Sequence, residues 1–178
     1  MLSPVDRVVR RAVMVPPRPT PVLVGIDGRA GAGKTTLAGL VAKRLHAQVV
    51  HLDELYDGWS GGAAGNRLLV KRVLRPLARG EHAAYPVFDW ETGEYASRRR
   101  VEPAVYVVVE GVFSTIRAAR DLLDVRVWLE VPAPLRRERA LARDGDGFAP
   151  HWDAWARQED ELFGPDRPWE HAHEVIEG

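Results

Sequence analysis

The sequence predicts an α/β fold with a mostly parallel five-stranded sheet, helices on both faces and a short lid. Short apolar runs rich in Val alternate along the chain with segments whose apolar residues recur at helical spacing. A glycine-rich loop joins the first run to the first helix. The 178 residues contain no long Gly/Ser or Pro linker, which favours a single core.

Five apolar runs are predicted as the strands, and in chain order they read PVLVGID, AQVVHLD, AVYVVVEG, DVRVWLEV and HEVIEG. The third is the richest in β-branched residues and is expected as a central strand, whereas the last is expected at an edge. Helical patterns follow the first, third and fourth runs, and a helix weakened by Pro76 is predicted over GNRLLVKRVLRPLARG. The stretch YPVFDWETGEYASRRRVEP predicts an irregular hairpin.

Residues 1–20 are predicted as an N-terminal appendage to a domain formed by residues 21–178. Val5, Val8 and Val9 give the appendage the pattern of a short amphipathic helix, which the prolines that follow would end. Charged residues interrupt its apolar residues, unlike the continuous apolar core of a signal peptide or membrane span. We therefore expect a soluble, cytoplasmic protein.

Charge and cysteine content restrict the possible partners and chemistry. The chain has 25 basic and 25 acidic side chains, so binding to nucleic acid or to a membrane is not expected. It has no cysteine, which excludes disulfides, thiolate metal sites and cysteine nucleophiles. Because the charges balance, any site for an anionic ligand must come from a local group of donors and not from the overall charge of the chain.

The stretch GRAGAGKT matches G-x-x-x-x-G-K-T, the phosphate-binding loop (P-loop) of the P-loop NTPase fold. Its glycines let backbone N–H groups point at phosphate oxygens, and the following helix presents its positive end. Lys34 adds a charge for the outer phosphates, and Thr35 can bind Mg²⁺. A turn that merely connects strand to helix is the alternative. The predicted nucleotide-binding residues are Gly28, Arg29, Ala30, Gly31, Ala32, Gly33, Lys34, Thr35 and Thr36.

Three acidic residues fall at or near the carboxyl ends of predicted strands, where ligands of parallel sheets bind. Asp53 could take a proton from an attacking hydroxyl, or it could cap the next helix. Glu110 is expected near Mg²⁺, because hard cations prefer oxygen ligands, with a solvated acid as the alternative. Asp27 is a second candidate for Mg²⁺, or for a structural bond to the loop.

Arginines and tryptophans supply further candidates. Arg136, Arg139 and Arg143 recur at helical spacing, so one helix face could present them to phosphate or simply to solvent. The segment RDGDGFAP then breaks the helix and could close over a nucleotide as a lid. Arg98 to Arg100 are interpreted as a solvated hairpin edge, with anion binding as the alternative. Four tryptophans near predicted loops could stack on a planar substrate or be buried: Trp59, Trp90, Trp152 and Trp155.

In order and spacing, these motifs resemble those of the uridine kinase and phosphoribulokinase-like family of P-loop kinases. GRAGAGKTT looks like its nucleotide loop, LDELY is similar to its D-x-F-Y motif, and PVFDW resembles its Y-D-F segment. VVVEG is similar to its strand ending in Glu-Gly, and RRERALARD looks like the Arg-rich helix that enters its lid. One departure is ETGEYAS after Trp90, where uridine kinases have a His and then an Arg that help read the nucleoside.

The resemblance implies an ATP-dependent kinase with Mg²⁺, whose acceptor is an alcohol such as a nucleoside. Asp53 is then the catalytic base, while Lys34, Arg139 and Arg143 stabilise phosphoryl charge. The implied acceptor contacts are Asp53, Tyr56, Phe88, Asp89, Trp90 and Glu110, and the implied Mg²⁺ ligands are Thr35, Glu110 and Asp27. Other hypotheses are a nucleoside monophosphate kinase whose acceptor phosphate meets Arg98 to Arg100, and a nucleotide-binding module without transfer activity. The expected partners are ATP and a small-molecule acceptor, and a homo-oligomer is possible.

Overall fold

The computed structural model describes residues 2–178, except the side chains of Asp144 and Asp146. Its strands are β1 (Val22–Gly28), β2 (Gln48–His51), β3 (Ala83–Asp89), β4 (Glu94–Val101), β5 (Tyr106–Glu110), β6 (Val125–Glu130) and β7 (Glu174–Glu177). Five of them form one sheet in the order β2-β5-β1-β6-β7, and all neighbours are parallel. The predicted parallel sheet is confirmed, with β5 an inner strand and β7 at an edge.

The α-helices are α1 (Pro4–Val13), α2 (Lys34–Leu45), α3 (Gly62–Leu68), α4 (Arg75–Ala78), α5 (Ala133–Asp144) and α6 (Trp152–Asp166). A π-helical stretch, Leu69–Leu74, joins α3 to α4 just before Pro76, which has no N–H to continue an α-helical ladder. Two short 3-10 helices, Gly145–Gly147 and Ala149–His151, connect α5 to α6. Together, α5, these turns and the start of α6 form the lid segment.

The helical pattern after β5 is one expectation that the structure corrects. Only a 3-10 helix, Arg117–Leu122, forms there. The backbone N–H groups of Phe113 and Thr115 donate instead to the buried carboxylate of Asp27, at 3.0 and 2.8 Å. Because these donors are taken by a side chain and Phe113 has a φ of 73°, no regular α-helix begins at this point.

The two faces of the sheet carry separate core clusters. Val24 and Ile26 of β1 pack in the cluster shared with α1 and α2, whereas Leu23 packs in the cluster shared with α3, the π-helical stretch and α6. This alternation has the period of two that a strand buried on both faces requires. Helices on both faces were predicted, and the packing confirms them.

Helix α1, within the predicted appendage, packs against α2 and the strands β6 and β7. Val8 and Ala12 are fully buried, in the cluster that also contains residues of α2. Arg7 and Arg11 both bind Glu174 at the start of the edge strand β7, at 2.5 and 2.7 Å. The helix therefore contributes to the core, and the boundary at residue 20 stays a prediction.

Strands β3 and β4 pair antiparallel as a hairpin with a register shift between Val87 and Phe88, as the irregular pattern predicted. Tyr85 anchors the hairpin in the main core, where it is fully buried. No helix within residues 2–178 is long and apolar enough to cross a membrane.

Candidate active site

A cleft of about 750 Å³ opens where β1, β2 and β5 end. Its size is typical of sites for small molecules and cofactors. It is lined by Ala30, Gly31, Gly33, Lys34, Thr35, Thr36, Asp53, Tyr56, Trp59, Trp90, Glu110, Val112, Arg139, Ala140, Arg143, Gly147, Phe148 and Trp155. The predicted convergence of the loop, Asp53 and Glu110 at one edge of the sheet is therefore what the structure shows.

The loop from Gly28 to Gly33 wraps one end of this cleft and leads into α2. Gly33, with a φ of 93°, precedes α2 and leaves its first turn without a side-chain cap. The first N–H groups of α2 therefore face the cleft as donors for an anion. Gly31 has a φ of 78°, and a Cβ there would lie 2.0 Å from the carbonyl oxygen of Arg136, so only glycine fits.

Lys34 is buried at the start of α2, and its Nζ donates to the carbonyl oxygen of Arg29 at 3.0 Å. The side chain of Arg29 turns away from the cleft, pairing with Asp160 at 2.7 Å and lying 5.6 Å from the ring of Phe163. Of the predicted nucleotide-binding residues, Gly28, Arg29 and Ala32 are not among those that line the cleft. Arg29 therefore contributes its backbone to the loop and its side chain to the packing of α6.

Glu110 ends β5 as a buried carboxylate beside the start of α2. The hydroxyl of Thr35 donates to its Oε1 at 3.2 Å, and Nδ1 of His51 lies 2.6 Å from the same oxygen. The hydrogen bond that the imidazole makes to the Glu110 carboxylate raises the pKa of His51. His51 ends β2 and lies opposite Glu110 in the parallel register, although no motif in the sequence marks it.

Asp53 lies on the cleft floor within a 3-10 turn, Leu52–Glu54, and its side chain is accessible to solvent in the cleft. Desolvation by the surrounding cleft raises the pKa of Asp53, and the negative charge of Glu110 raises it further. The positive charge of Lys34 opposes both effects. The helix-cap alternative does not apply, because Gly61 occupies the N-cap position of α3. The carboxylate thus faces the cleft.

Asp27 does not line the cleft. It is fully buried, and it accepts hydrogen bonds from the N–H of Gly28, Phe113 and Thr115 and from the hydroxyl of Thr115, at 2.7 to 3.0 Å. Burial raises the pKa of Asp27 to about 6, against the effect of these donors. Of its two predicted roles, this geometry supports the structural bond to the loop.

The β3–β4 hairpin is bonded to the backbone on either side of Glu54. Nε1 of Trp90 donates to the carbonyl oxygen of Asp53 at 3.1 Å, and the hydroxyl of Tyr95 donates to that of Leu55 at 3.0 Å. The hairpin therefore fixes the turn that presents Asp53, a role that its sequence pattern did not reveal.

Glu54 adds a side-chain contact to the same turn. It accepts a hydrogen bond from the Tyr85 hydroxyl at 2.7 Å and pairs with Arg99 at 2.7 Å. Arg99 is thus engaged on the outer side of the turn, and Arg100 pairs with Glu102 at 2.7 Å. Among the described residues, neither these two arginines nor Arg98 lines the cleft.

Aromatic side chains form a large part of the cleft wall. Trp59 stacks on Phe148 and His151, with ring centroids 5.1 and 4.4 Å apart, and so joins the loop after β2 to the lid segment. The ring of Tyr56 lies edge-on to Trp155 at 5.2 Å. The Tyr56 hydroxyl donates to the carbonyl oxygen of Val112 at 2.6 Å. Because this hydroxyl is already bonded, Tyr56 contributes its aromatic ring to the cleft.

Two predicted acceptor contacts lie outside the cleft. Phe88 packs edge-on between Trp90 and Tyr95, with both centroid distances 5.4 Å. Asp89 accepts hydrogen bonds from the N–H groups of Glu91 and Thr92 at 2.8 and 3.3 Å, and so stabilises the hairpin turn. Of this segment, Trp90 is the residue that lines the cleft, and it follows a register shift between Val87 and Phe88.

The three lid arginines divide into two groups. Arg139 and Arg143, one turn apart on α5, line the cleft, whereas Arg136 is buried beneath the loop. The side chains of Asp144 and Asp146, which give the predicted lid segment its charge, lie outside the described residues. Helix α5 thus directs Arg139 and Arg143 toward the position expected for phosphate.

Comparisons with known proteins find uridine kinases among the relatives of the chain, although no family model matches it. It is 31% identical to the uridine kinase of Leuconostoc citreum, over 71% of this chain and 70% of that protein. It is 30% identical to the uridine kinase of Staphylococcus haemolyticus, over 68% of each. A solved structure described as a possible uridine kinase from Bacillus stearothermophilus shares the fold, with a TM-score of 0.70, 22% identity, and coverage of 97% of this chain and 96% of that one.

Proposed function

Because the chain belongs to the uridine kinase family and is an ATP-dependent phosphotransferase, we propose that it transfers the γ-phosphoryl group of ATP to a hydroxyl group of a nucleoside. One observation carries the proposal. The P-loop lysine, a strand-terminal glutamate and the accessible carboxylate of Asp53 line a single cleft that several aromatic side chains also line.

The donor half of the site consists of the loop, α2 and α5. Backbone N–H groups of the loop and the charge of Lys34 would hold the β and γ phosphates. Arg139 and Arg143 would stabilise the negative charge that spreads over the transferred group. Positioned charges of this kind supply most of the catalysis in phosphoryl transfer, because the reaction requires little covalent chemistry from the protein.

Thr35 and Glu110 fit a Mg²⁺ ion that accompanies ATP. Their oxygens lie 3.2 Å apart at the cleft, and the Glu110 carboxylate is buried and directed toward the loop. Mg²⁺ in such sites takes one or two protein oxygens and completes its shell with phosphates and water. The described residues contain no group of three or more His, Asp or Glu that could hold a metal ion. When bound, the ion would neutralise charge on the phosphates.

Asp53 would act as the general base. It would accept the proton of the acceptor hydroxyl as that oxygen bonds to the γ-phosphorus and the bond to the bridging oxygen breaks, which releases ADP. The raised pKa of Asp53 makes it a better proton acceptor than an ordinary aspartate. The hydrogen bond from Trp90 to its carbonyl oxygen supports its position.

The aromatic wall favours a planar, uncharged acceptor. Tyr56, Trp59, Trp90 and Trp155 offer ring faces and edges to the cleft, which suits a base or a sugar ring. A nucleoside monophosphate acceptor would need cations on this side, yet Arg99 and Arg100 are engaged with Glu54 and Glu102 outside the cleft. These contacts favour an alcohol over a phosphate acceptor.

A coupled ADP-release assay with Mg²⁺ and ATP tests the proposal. Nucleosides, nucleoside monophosphates, simple sugars and other alcohols are compared as acceptors, and the phosphorylated product is identified by mass spectrometry. We expect ADP release and a nucleoside monophosphate product with nucleosides. Turnover of nucleoside monophosphates alone would favour the alternative enzyme, and turnover of a sugar alone would refute the nucleoside assignment while leaving the phosphotransferase intact.

A further inference from the structure

One buried carboxylate beside the P-loop has no part in the chemistry described above. Glu159, on α6, is 1% exposed, and its Oε1 accepts a hydrogen bond from the N–H of Ala30 at 2.7 Å. Nε1 of Trp155 donates to the same oxygen at 3.1 Å. A buried acid is costly unless its charge is compensated, so its position at the loop requires an explanation.

Arg136 contacts the same loop residue from the other side. Its Nη1 donates to the carbonyl oxygen of Ala30 at 3.2 Å, and its Nε donates to the carbonyl oxygen of Val131 at 3.0 Å. Arg136 is 8% exposed, and its Nη1 lies 4.0 Å from Oε2 of Glu159. The N–H and the C=O of Ala30 are thus each bonded to a buried charged side chain, one from α6 and one from α5.

The two contacts connect the nucleotide loop to the lid. Helix α5 also carries Arg139 and Arg143, and α6 carries Trp155, so the same helices line the cleft. The absence of space for a Cβ at Gly31 shows how closely α5 approaches the loop. Loss of either contact to Ala30 would therefore change the conformation of the loop and also its distance from Arg139 and Arg143 in the cleft.

We propose that Glu159 and Arg136 are positioning residues that hold the Ala30 peptide in the shape required to bind the phosphates of ATP. The charge of Glu159 is compensated by Arg136 and by Arg29, whose Nη1 lies 3.4 Å from Oε2 of Glu159. The loop is therefore fixed without placing an unpaired charge beside the phosphates. This inference rests on the proposed nucleotide-binding role of the loop. It assigns a function to Glu159 beyond that proposed role.

The charge and the hydrogen bond can be separated by substitution. Glu159→Gln keeps an acceptor oxygen for Ala30 and Trp155, whereas Glu159→Leu removes it at similar volume. We expect Glu159→Leu to raise the KM for ATP about tenfold or more, the effect of losing one hydrogen bond to a charged group. The KM for the acceptor should rise much less, since Trp155 of the cleft wall loses only a hydrogen-bond partner. Glu159→Gln should stay within about threefold of the wild type. Glu161→Gln, an exposed glutamate on the same helix, is the matched control.

Direct titration with ADP by calorimetry separates the possible failures. If the wild type binds ADP and Glu159→Leu binds it equally well, the positioning role is wrong while the proposed function stands. If both KM values rise equally, the effect is general destabilisation and the proposal is also overturned. Arg136→Met provides a second test should Glu159→Leu fail to fold, and it should raise the KM for ATP in the same selective way. If the wild type binds no ADP, the proposed function itself fails.

Discussion

The indole N–H of Trp90 donates to the backbone carbonyl of Asp53 at 3.1 Å, which connects the tip of the hairpin to the turn that presents the proposed base. The same indole is a wall of the cleft. Under the proposed function Trp90 would have two roles that substitution can separate: its ring would offer a surface to the acceptor, and its N–H holds the Asp53 turn.

Trp90→Phe keeps an aromatic ring but removes the N–H donor. We expect kcat to fall several-fold, about the effect of one neutral hydrogen bond, with little change in the KM for the acceptor. Trp90→Ala should in addition raise that KM, because the ring is lost. Steady-state kinetics with a varied acceptor measures both. Trp169→Phe, which changes a tryptophan packed 5.5 Å from Trp128 in the core, is the control, and equal effects of Trp90→Phe and Trp169→Phe would contradict the assignment.

Thr35 and Glu110 should determine the Mg²⁺ requirement. Thr35→Val removes the hydroxyl at nearly constant shape, and we expect it to raise the Mg²⁺ concentration needed for half-maximal rate about tenfold or more. Thr35→Ser restores a hydroxyl and should return the requirement close to that of the wild type. The measurement is the initial rate against free Mg²⁺ at saturating ATP. An unchanged requirement in Thr35→Val would remove Thr35 from the proposed ligands.

Arg98 and Arg100 should have little influence on the acceptor. Both lie on β4 outside the cleft, and exposed ion pairs such as that of Arg100 with Glu102 contribute little. Arg98→Ala and Arg100→Ala are therefore expected to leave the KM for the acceptor within about twofold. A large rise for a phosphorylated acceptor in either variant would revive the nucleoside monophosphate kinase hypothesis.

Asp27 should make stability depend on pH in an unusual direction. Burial raises its pKa from 3.8 in the unfolded chain to about 6 in the fold, so between these values the folded state holds more protons than the unfolded state. Its contribution to stability is therefore present below about pH 4 and falls as pH rises toward 6. The loss is on the order of 3 kcal/mol, since one pKa unit corresponds to about 1.4 kcal/mol.

Urea unfolding from pH 4 to 7 tests this dependence against Asp27→Asn, which cannot ionise. The free energy of unfolding of the wild type minus that of Asp27→Asn should decrease as pH rises across this range. Asp121→Asn, at an exposed position, should give a difference that hardly changes with pH. A wild-type minus Asp27→Asn difference that increases with pH would contradict the raised pKa.

The sequence predicts the sheet well because buried parallel strands are continuous apolar runs. It also predicts the P-loop, because glycines at this spacing let backbone N–H groups point at phosphate oxygens. It does not predict His51 or Glu159 as site residues. His51 meets Glu110 only through the register of β2 on β5, and Glu159 reaches Ala30 from 129 residues along the chain. Neither relationship leaves a local signal.

The hairpin shows why motif position alone does not tell which side chains line the cleft, since Trp90 lines it whereas Phe88 and Asp89 do not. The register shift at Val87 changes which side chains point inward, so Phe88 packs against Trp90 and Tyr95, and Asp89 stabilises the turn. Likewise, Asp27 is conspicuous in the sequence, but its position one residue before the loop does not tell whether its oxygens face the ligand or the backbone of residues 113–115.

The most direct test of the proposed mechanism is the turnover of Asp53→Asn with Mg²⁺, ATP and a nucleoside, compared with Asp57→Asn, an exposed aspartate in the same segment. Asparagine keeps the size of the side chain but cannot accept the proton. We expect kcat of Asp53→Asn to fall about a hundredfold or more, while ADP binding and the rate of Asp57→Asn stay close to those of the wild type. Turnover of Asp53→Asn within a few-fold of the wild type would show that Asp53 is not the base.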